Sequence, residues 1–414
     1  MKGPEGSERD SRPAGQQPQR AAGSFRELLS RYSIQRWRQG ELGALPVVLG
    51  LVLIAAWFES QEPAFLSARN ISNLIVQIAA TGSVAVGIVM VLLLGEIDLS
   101  VGSLSGLCSA LLGVLIVNHG TPWWLAILAV LATGALIGAF QGAWFALIGV
   151  PSFVVTLAGF LAWQGVQLRV LGSTGTVNVF DPHIEIIAQS FLSPFWGWAV
   201  GFGAAGIYLL ALWTRWTRRR GAGLSGTPMF VGLARSALIV ALALGSVEIL
   251  SRFNGVPTAG VILFGLVALL AFITTRTRFG LYVFAVGGNA EAARRAGVKV
   301  SRIRIIVFSL SGLMAAVGGI VFVSRLTAAS TQTGGGTFLL EAIAAAVIGG
   351  TSLFGGRGSA WSALLGALVI GSVSNGLDLM AQPPEIKYMV EGAILLVAVS
   401  VDAVARRSRA AAGR

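Results

Sequence analysis

The sequence predicts an all-α protein, a polytopic bundle of transmembrane helices with about 10–12 spans and both termini in the cytoplasm. Hydrophobic residues make up 55% of the 414 residues and charged residues 12%, and mean hydropathy is +0.77. A soluble protein with this balance would have too few polar side chains to cover its surface. Apolar segments close to spanning length recur along the chain, and clusters of arginine separate some of them.

The chain begins with a polar stretch over residues 1–42, rich in Pro, Gln, Gly and Arg, which we expect to be a disordered cytoplasmic tail. This stretch lacks the apolar core and small-residue cleavage site of a signal peptide. Basic residues stand just before the first apolar segment and place the N-terminus inside: Arg26, Arg31, Arg36 and Arg38. The membrane domain is expected over 43–405, and a basic cytoplasmic tail over 406–414.

Apolar segments follow one another with short links, most of them near the ~20 residues that a spanning helix needs. They lie at about 45–58, 71–95, 99–117, 123–147, 153–171, 195–214, 233–250, 256–275, 303–325, 338–349, 361–380 and 388–404. The link 172–194 has no Lys or Arg and is expected outside, whereas 215–220 and 276–304 are basic and are expected inside. Segment 338–349 is short of spanning length, which leaves a re-entrant or broken span open as an alternative to a full crossing there.

Several of the 54 glycines recur at four-residue spacing, among them Gly102 and Gly106, and Gly134, Gly138 and Gly142. Spacing of this kind places small residues on one helix face. Because helices associate in lipid largely through close packing, the spacing predicts close helix–helix contacts at these positions.

Other classes of protein fit the sequence poorly. The net charge of +12 resides in tails and loops and does not indicate nucleic-acid binding. The glycine-rich stretch 349–359 lacks the Gly-Lys-Ser/Thr ending of a phosphate-binding loop, so no ATP site is predicted. His119 and His183 are far apart, and neither a metal-ligand cluster nor a nucleophile–base arrangement is apparent. The sequence therefore predicts a protein that is not an enzyme and that carries no cofactor.

The motif EIDLSVGS at 96–103, called the acidic turn below, joins two apolar segments with almost no linker. An acid at bilayer depth costs roughly 2.5–3.5 kcal/mol, so Glu96 and Asp98 require a reason to be there. One interpretation is a polar translocation path lined by Glu96, Asp98 and Ser100. The alternative is a tight interfacial turn in which Asp98 or Ser100 caps the next helix. Glu341 lies in a later apolar segment, where a path role and a packing role both stay open.

The loop that begins at Gly287 contains a short, well-terminated helix by its residue pattern. Asn289 can cap its start, Glu291 lies in its first turn, Arg294 and Arg295 lie in its last, and Gly297 follows. About two turns of free helix would be marginal in water. We therefore expect the helix to dock on another surface through its small alanines, although an ordinary surface helix is the alternative.

These motifs resemble those of a known family. EAARRAG at 291–297 fits the first half of the EAA signature of ABC importer permeases, whereas the Ile-x-Leu-Pro of its second half is absent. Four motifs resemble the ribose, galactose and xylose class of these permeases: Glu96–Ser103, Pro151–Gly159, Gly287–Gly297 and Gly349–Gly356. Phe65–Leu74 and an additional hairpin at about 233–275 resemble the xylose-type permease. One departure is Leu339-Leu340-Glu341, where the family has two acids.

The resemblance implies the membrane-spanning permease subunit of an ATP-driven importer for xylose or a related monosaccharide, in the bacterial inner membrane. It implies four kinds of partner for this chain: separate ABC ATPase subunits, a periplasmic or surface-tethered sugar-binding protein, a second copy of the permease, and membrane lipid. The ATPase is expected to dock on the coupling loop, residues 276–304. The residues expected to carry that contact are Gly287, Gly288, Asn289, Glu291, Ala292, Ala293, Arg294 and Gly297.

A rival from another class is an ion-coupled secondary transporter. In that case Glu96, Asp98 or Glu341 would be proton or sodium sites within the membrane. Such a protein needs no partner ATPase and no docking helix.

Overall fold

A computed structural model describes residues 45–221 and 229–411 of the chain. The predicted N-terminal tail and the last three residues of the predicted basic tail lie outside the described residues. The helices are α1 Leu45–Gln61, α2 Ala68–Leu93, α3 Val101–Gly113, α4 Trp123–Ala143, α5 Ser152–Leu171, α6 Pro182–Gln189, α7 Pro194–Gly221, α8 Met229–Ser251, α9 Thr258–Arg276, α10 Arg278–Gly288, α11 Ala290–Arg295, α12 Val300–Leu326, α13 Gly336–Ile348, α14 Ala360–Leu379 and α15 Pro384–Ala411. Four short strands are β1 Thr176–Asn178, β2 Phe191–Leu192, β3 Val256–Pro257 and β4 Ala328–Ser330.

Eight helical segments in the described part of the chain are long and apolar enough to cross a membrane, and three shorter apolar helices accompany them. This confirms the predicted polytopic helical bundle. The π-helical turns Val114–Asn118 and Trp144–Ile148 extend α3 and α4. The number of crossings and the side on which the termini lie stay predictions.

Helix α12 is the centre of the bundle and packs against α2, α3, α4 and α6. Glycines permit the closest of these contacts. A Cβ at Gly134 or Gly138 would overlap a backbone carbonyl oxygen of α12, and one at Gly142 would lie 2.8 Å from the Cβ of Phe308. The four-residue glycine spacing therefore makes a close contact between two helices, as predicted, and the partner of α4 is α12.

Helices α7 and α8 pack against each other at the rim of the bundle, whereas α9 packs into the bundle against α2 and α14. The hairpin expected at 233–275 is thus divided between two places.

The connecting segments gather at two ends of the bundle. At one end β1 pairs with β4, β2 pairs with β3, and the backbone N–H of Ala188 on α6 donates to Ser324 Oγ at 2.8 Å. At the other end the segments around Leu93, Gly287 and Gly356 meet. The link 172–194, which is expected outside, lies at the first end, and Gly287 of the loop that is expected inside lies at the second. Which end is cytoplasmic stays a prediction.

The short apolar segment near residue 340 forms a helix of only 13 residues, α13, and whether it is a re-entrant or broken span stays a prediction. After β4 the chain runs along α3 without helical structure. A Cβ at Gly106 would overlap the carbonyl oxygen of Thr333, and a Cβ at Gly102 would lie 2.9 Å from the carbonyl oxygen of Gly334. Helix α13 then covers roughly 20 Å and leads to the turn that contacts Leu93. Inside a membrane, non-helical backbone is tolerated only where it is buried in protein or lines a water-filled cavity, and Thr333 and Gly334 are buried here.

Candidate functional site

The motifs that stand out in the sequence meet at one end of the bundle, and we call this place the junction. The backbone N–H of Gly356 donates to the carbonyl oxygen of Leu93 at 2.9 Å. A Cβ at Gly287 would overlap that same oxygen and would lie 2.8 Å from the Gly356 nitrogen. A Cβ at Gly355 would lie 2.8 Å from the Gly95 nitrogen. Since only glycine leaves room for these contacts, three segments touch through their backbones.

The remaining motif, Pro151–Gly159, joins the junction through Glu96. Ser152 Oγ, at the start of α5, donates to Glu96 Oε2 at 2.8 Å. Arg304 Nη2, in the second turn of α12, donates to Glu96 Oε1 at 2.9 Å. The Arg304 guanidinium also lies over the Phe145 ring, 4.6 Å from its centroid, in a cation–π contact. Glu96 therefore connects α5 and α12 to the acidic turn.

A cleft of about 520 Å³ opens beside this ion pair. It brings residues of the acidic turn and the start of α5 together with a cation of α11. Its lining is Gly95, Glu96, Ile97, Phe145, Ala146, Gly149, Val150, Pro151, Ser152, Phe153, Arg294 and Arg304. Movement of α11 would therefore change the walls of a cleft that the acidic turn also forms.

Helix α11 has the ends that the sequence predicts. Asn289 Oδ1 accepts from the backbone N–H of Ala292 at 2.9 Å. Gly297 has a φ of 85°, in the left-handed region, and the backbone N–H of Val298 donates to Ala293 O at 3.0 Å. This is a Schellman-type helix end. Glu291 pairs with Arg294 and Arg295 at 3.0 and 3.3 Å, but these exposed pairs contribute little to stability.

The predicted docking face of α11 needs a correction. Ala293 is only 6% exposed and packs inside its own chain, whereas Ala292 and Ala296 are exposed. Such a short helix needs an anchor, and Ala293 supplies it by facing the rest of the chain. Helix α10, absent from the prediction, leads into α11 and ends at the exposed Gly288.

Asp98 faces the interior of the bundle, away from Glu96. It is 4% exposed and accepts hydrogen bonds from the Ser100 N–H at 3.0 Å, from Ser100 Oγ at 2.7 Å and from Ser311 Oγ at 3.0 Å. Burial raises the pKa of this carboxyl group, and the hydrogen bonds from Ser100 and Ser311 oppose the rise. Asp98 thus holds the turn before α3 and also reaches α12 through Ser311. A role in the path stays a prediction.

Glu341 lies apart from the junction. It lines a smaller cavity of about 100 Å³ together with Glu391 and Tyr388 of α15. The structure therefore does not bring the three candidate path acids together. Within 45–221 and 229–411, no group of three or more His, Cys, Asp or Glu side chains could hold a metal ion.

Arg304, Ser152 and Ser311 are members of these networks that were not predicted from the sequence. Arg304 carried a usable signal, since an arginine just inside an apolar segment needs a partner. The two serines carried none, because serine is common in such segments.

Comparison with known proteins gives the family. Residues 70–399 match the family described as branched-chain amino acid transport system / permease component. The xylose transport system permease protein XylH of Escherichia coli K12 is 41% identical over 366 residues, which cover 88% of this chain and 91% of the relative. XylH of Haemophilus influenzae is 37% identical, with 86% of this chain and 95% of the relative covered. The ribose import permease protein RbsC of Escherichia coli K12 is 33% identical, with 90% and 96% covered.

No solved structure matches the chain. The match to the family covers most of the chain, and the identities to XylH and RbsC extend over nearly the whole length of each relative. The chain belongs to this family of transport-system permease components, and it is a membrane transport subunit rather than an enzyme.

Proposed function

We propose that the chain is the permease subunit of an ATP-driven (ABC) importer in the bacterial inner membrane, and that its substrate is xylose or a related monosaccharide. The structural observation that supports this is the junction, where Gly287 of α10 touches Leu93 and Gly356, and where Arg294 of α11 lines the same cleft as Glu96 of the acidic turn. The sugar rests on the relatives, which are named for xylose and ribose.

The proposed importer has further chains. An ATPase docks on the coupling loop through the exposed side of α11, with Ala292 and Ala296 allowing close approach. A sugar-binding protein delivers substrate at the opposite end, where α6 and the short strands lie. A second copy of the permease completes the membrane part, and lipid surrounds both copies.

The geometry suggests how motion of the ATPase reaches the membrane helices. A displacement of α10 and α11 acts on Leu93 and Gly356 directly, because Gly287 offers no flexible side chain to absorb it. The start of α12 moves with α11, since only four residues separate them. Arg304 then acts on Glu96, and through Glu96 on Ser152 of α5. One motion thus reaches α2, α5 and α12 together.

The alternative, an ion-coupled transporter that uses Glu96, Asp98 or Glu341, fits the geometry less well. Glu96 is already paired with Arg304, and Asp98 already accepts three hydrogen bonds. An acid that binds and releases an ion during transport needs access to water, whereas Asp98 is 4% exposed.

Reconstitution in vesicles tests the proposal. The full chain, its ATPase and its sugar-binding protein are incorporated together, and uptake of labelled xylose is measured with and without ATP. We expect uptake that requires ATP and all three components and that persists when an ionophore removes the ion gradients. Uptake by the permease alone, driven by an ion gradient, would overturn the proposal. Ribose and fructose in the same assay test the choice of sugar.

A further inference from the structure

The hydroxyl group of Ser100 faces two acceptors. Its Oγ lies 2.7 Å from Asp98 Oδ1 and 2.9 Å from Gln141 Oε1, and all three residues are buried. A serine hydroxyl carries one hydrogen and can donate it to only one of these oxygens. With the Gln141 oxygen on this side, two acceptor oxygens therefore compete for one proton.

Two buried donors close by have no partner. The Nε2 of Gln141 and the Nε1 of Trp163 both lie out of contact with water and without a hydrogen bond. Both border the space that Gly159 leaves empty. A Cβ at Gly159 would lie 3.0 Å from Trp163 Nε1 and would overlap Gln141 Nε2. An unpaired buried donor costs roughly 1–3 kcal/mol, so two such donors close to a hydroxyl group that faces two acceptors need an explanation.

One rotation accounts for all three observations. The oxygen and nitrogen of a glutamine amide are assigned from the hydrogen bonds around them. Turning the Gln141 amide by half a turn lets its nitrogen donate to Ser100 Oγ, which frees the Ser100 hydrogen for Asp98. The amide oxygen then faces the side on which the indole N–H of Trp163 lies.

We infer that Gln141 is a positioning residue for Asp98, acting through Ser100 in a one-way series of donors that starts at Trp163. Ser311 of α12 donates to the other oxygen of the same carboxylate. The series joins α5, α4 and α12 to the turn before α3. It also explains why position 159 is a glycine, because any side chain there would displace the Gln141 amide.

The inference rests on the proposed transport function for its readout, so uptake is paired with thermal unfolding of the same preparations. Gln141→Met keeps the length of the side chain and removes both amide groups. Gln167→Met is the matched control, because Gln167 is equally buried on α5 but donates to Ser330 O and Thr333 O instead. Both variants should lower the unfolding temperature.

Only Gln141→Met should lower the maximal uptake rate per assembled importer, by about tenfold, with KM for the sugar-loaded binding protein unchanged. Ser100→Ala should have a similar effect, and the double variant should be no worse than either single one. Gln167→Met should combine with Ser100→Ala additively. If Gln141→Met does not assemble, Trp163→Phe with Ser100→Ala gives the same comparison from the far end of the series.

Additive effects of Gln141→Met and Ser100→Ala, or equal effects of the Gln141 and Gln167 variants on uptake, would overturn the inference. Absence of uptake by the unaltered importer would instead count against the proposed function. In that case the unfolding temperatures of Gln141→Met, Ser100→Ala and the double variant still decide whether Gln141 and Ser100 are coupled.

Discussion

Arg304 Nη2 lies 2.9 Å from Glu96 Oε1 and joins two segments that are 208 positions apart in the chain. The side chains are 23% and 16% exposed, so the pair is only partly solvated. Because Arg304 is the last residue of the coupling loop and Glu96 begins the acidic turn, the pair connects the expected ATPase-docking segment to the membrane helices.

Breaking this pair should uncouple transport. Glu96→Gln keeps the shape and removes the charge, and the loss of a charge-assisted hydrogen bond is worth roughly 1.5–3 kcal/mol. We expect uptake to fall at least tenfold while the ATPase still binds. Arg304→Met should be more severe, because it leaves Glu96 without its cation. Arg302→Met is the control, since Arg302 is exposed. Similar uptake by all three variants would show that the pair has no part in coupling.

The junction gives a comparison between adjacent glycines. Gly287→Ala would push a methyl group into Leu93 O and Gly356 N, whereas Gly288→Ala meets nothing within 4 Å. Overpacking of this kind costs about 1–3 kcal/mol. The first variant should unfold at a lower temperature and lose stimulation of the ATPase by sugar. The second should match the unaltered protein in unfolding temperature, and a reversed order of the two unfolding temperatures would contradict the packing described here.

Features set by neighbouring residues were predictable from sequence. The ends of α11 depend on Asn289 and Gly297, whose effects on the backbone are confined to residues a few positions away in the sequence. Glycine spacing predicted close helix contact, but it could not name α12 as the partner, since helices of similar composition are equally good candidates. The Arg304–Glu96 pair and the non-helical stretch before α13 depend on three-dimensional packing. So does the burial of Ala293, because so short a helix has too few residues to reveal which side faces the chain.

Asp98 allows the two interpretations of the acidic turn to be separated. In Asp98→Asn the amide oxygen can still accept from Ser100, and the amide nitrogen can donate to a rotated Ser311 hydroxyl. Asp98→Ala loses all of these bonds and leaves buried hydroxyls unpaired, at roughly 1–3 kcal/mol each. If Asp98 is only structural, the Asn variant should transport nearly normally and the Ala variant should be unstable. A stable but inactive Asn variant would indicate that the charge serves the path.

Orientation can be measured by labelling single cysteines. Cys108 is fully buried, so it should not react in the folded protein, and Cys108→Ser provides a clean background. A cysteine at exposed Ala292 should react only with a reagent that reaches the cytoplasm. One at Phe180, which is 74% exposed at the other end, should react from outside. Labelling of position 292 from outside would reverse the predicted topology.

The docking of α11 is tested by adding bulk to its exposed side. Ala292→Trp places a large side chain where a partner must approach closely, yet it disturbs no contact within the chain because Ala292 is exposed. We expect the ATPase to be lost on purification and ATP-dependent uptake to fail, with the unfolding temperature of the permease unchanged. Ala293→Trp is the contrasting variant, since Ala293 is buried and the added bulk should lower the unfolding temperature.

A third variant probes the end of the same helix. Gly297→Val forces a β-branched residue into a left-handed conformation, at a cost of about 1–2 kcal/mol, although nothing lies within 4 Å of the added carbon. It should therefore loosen α11 without creating a clash, and retention of the ATPase should fall less than in Ala292→Trp. If Ala292→Trp instead retains its ATPase and takes up sugar normally at normal abundance, α11 is a surface helix and the ATPase binds elsewhere.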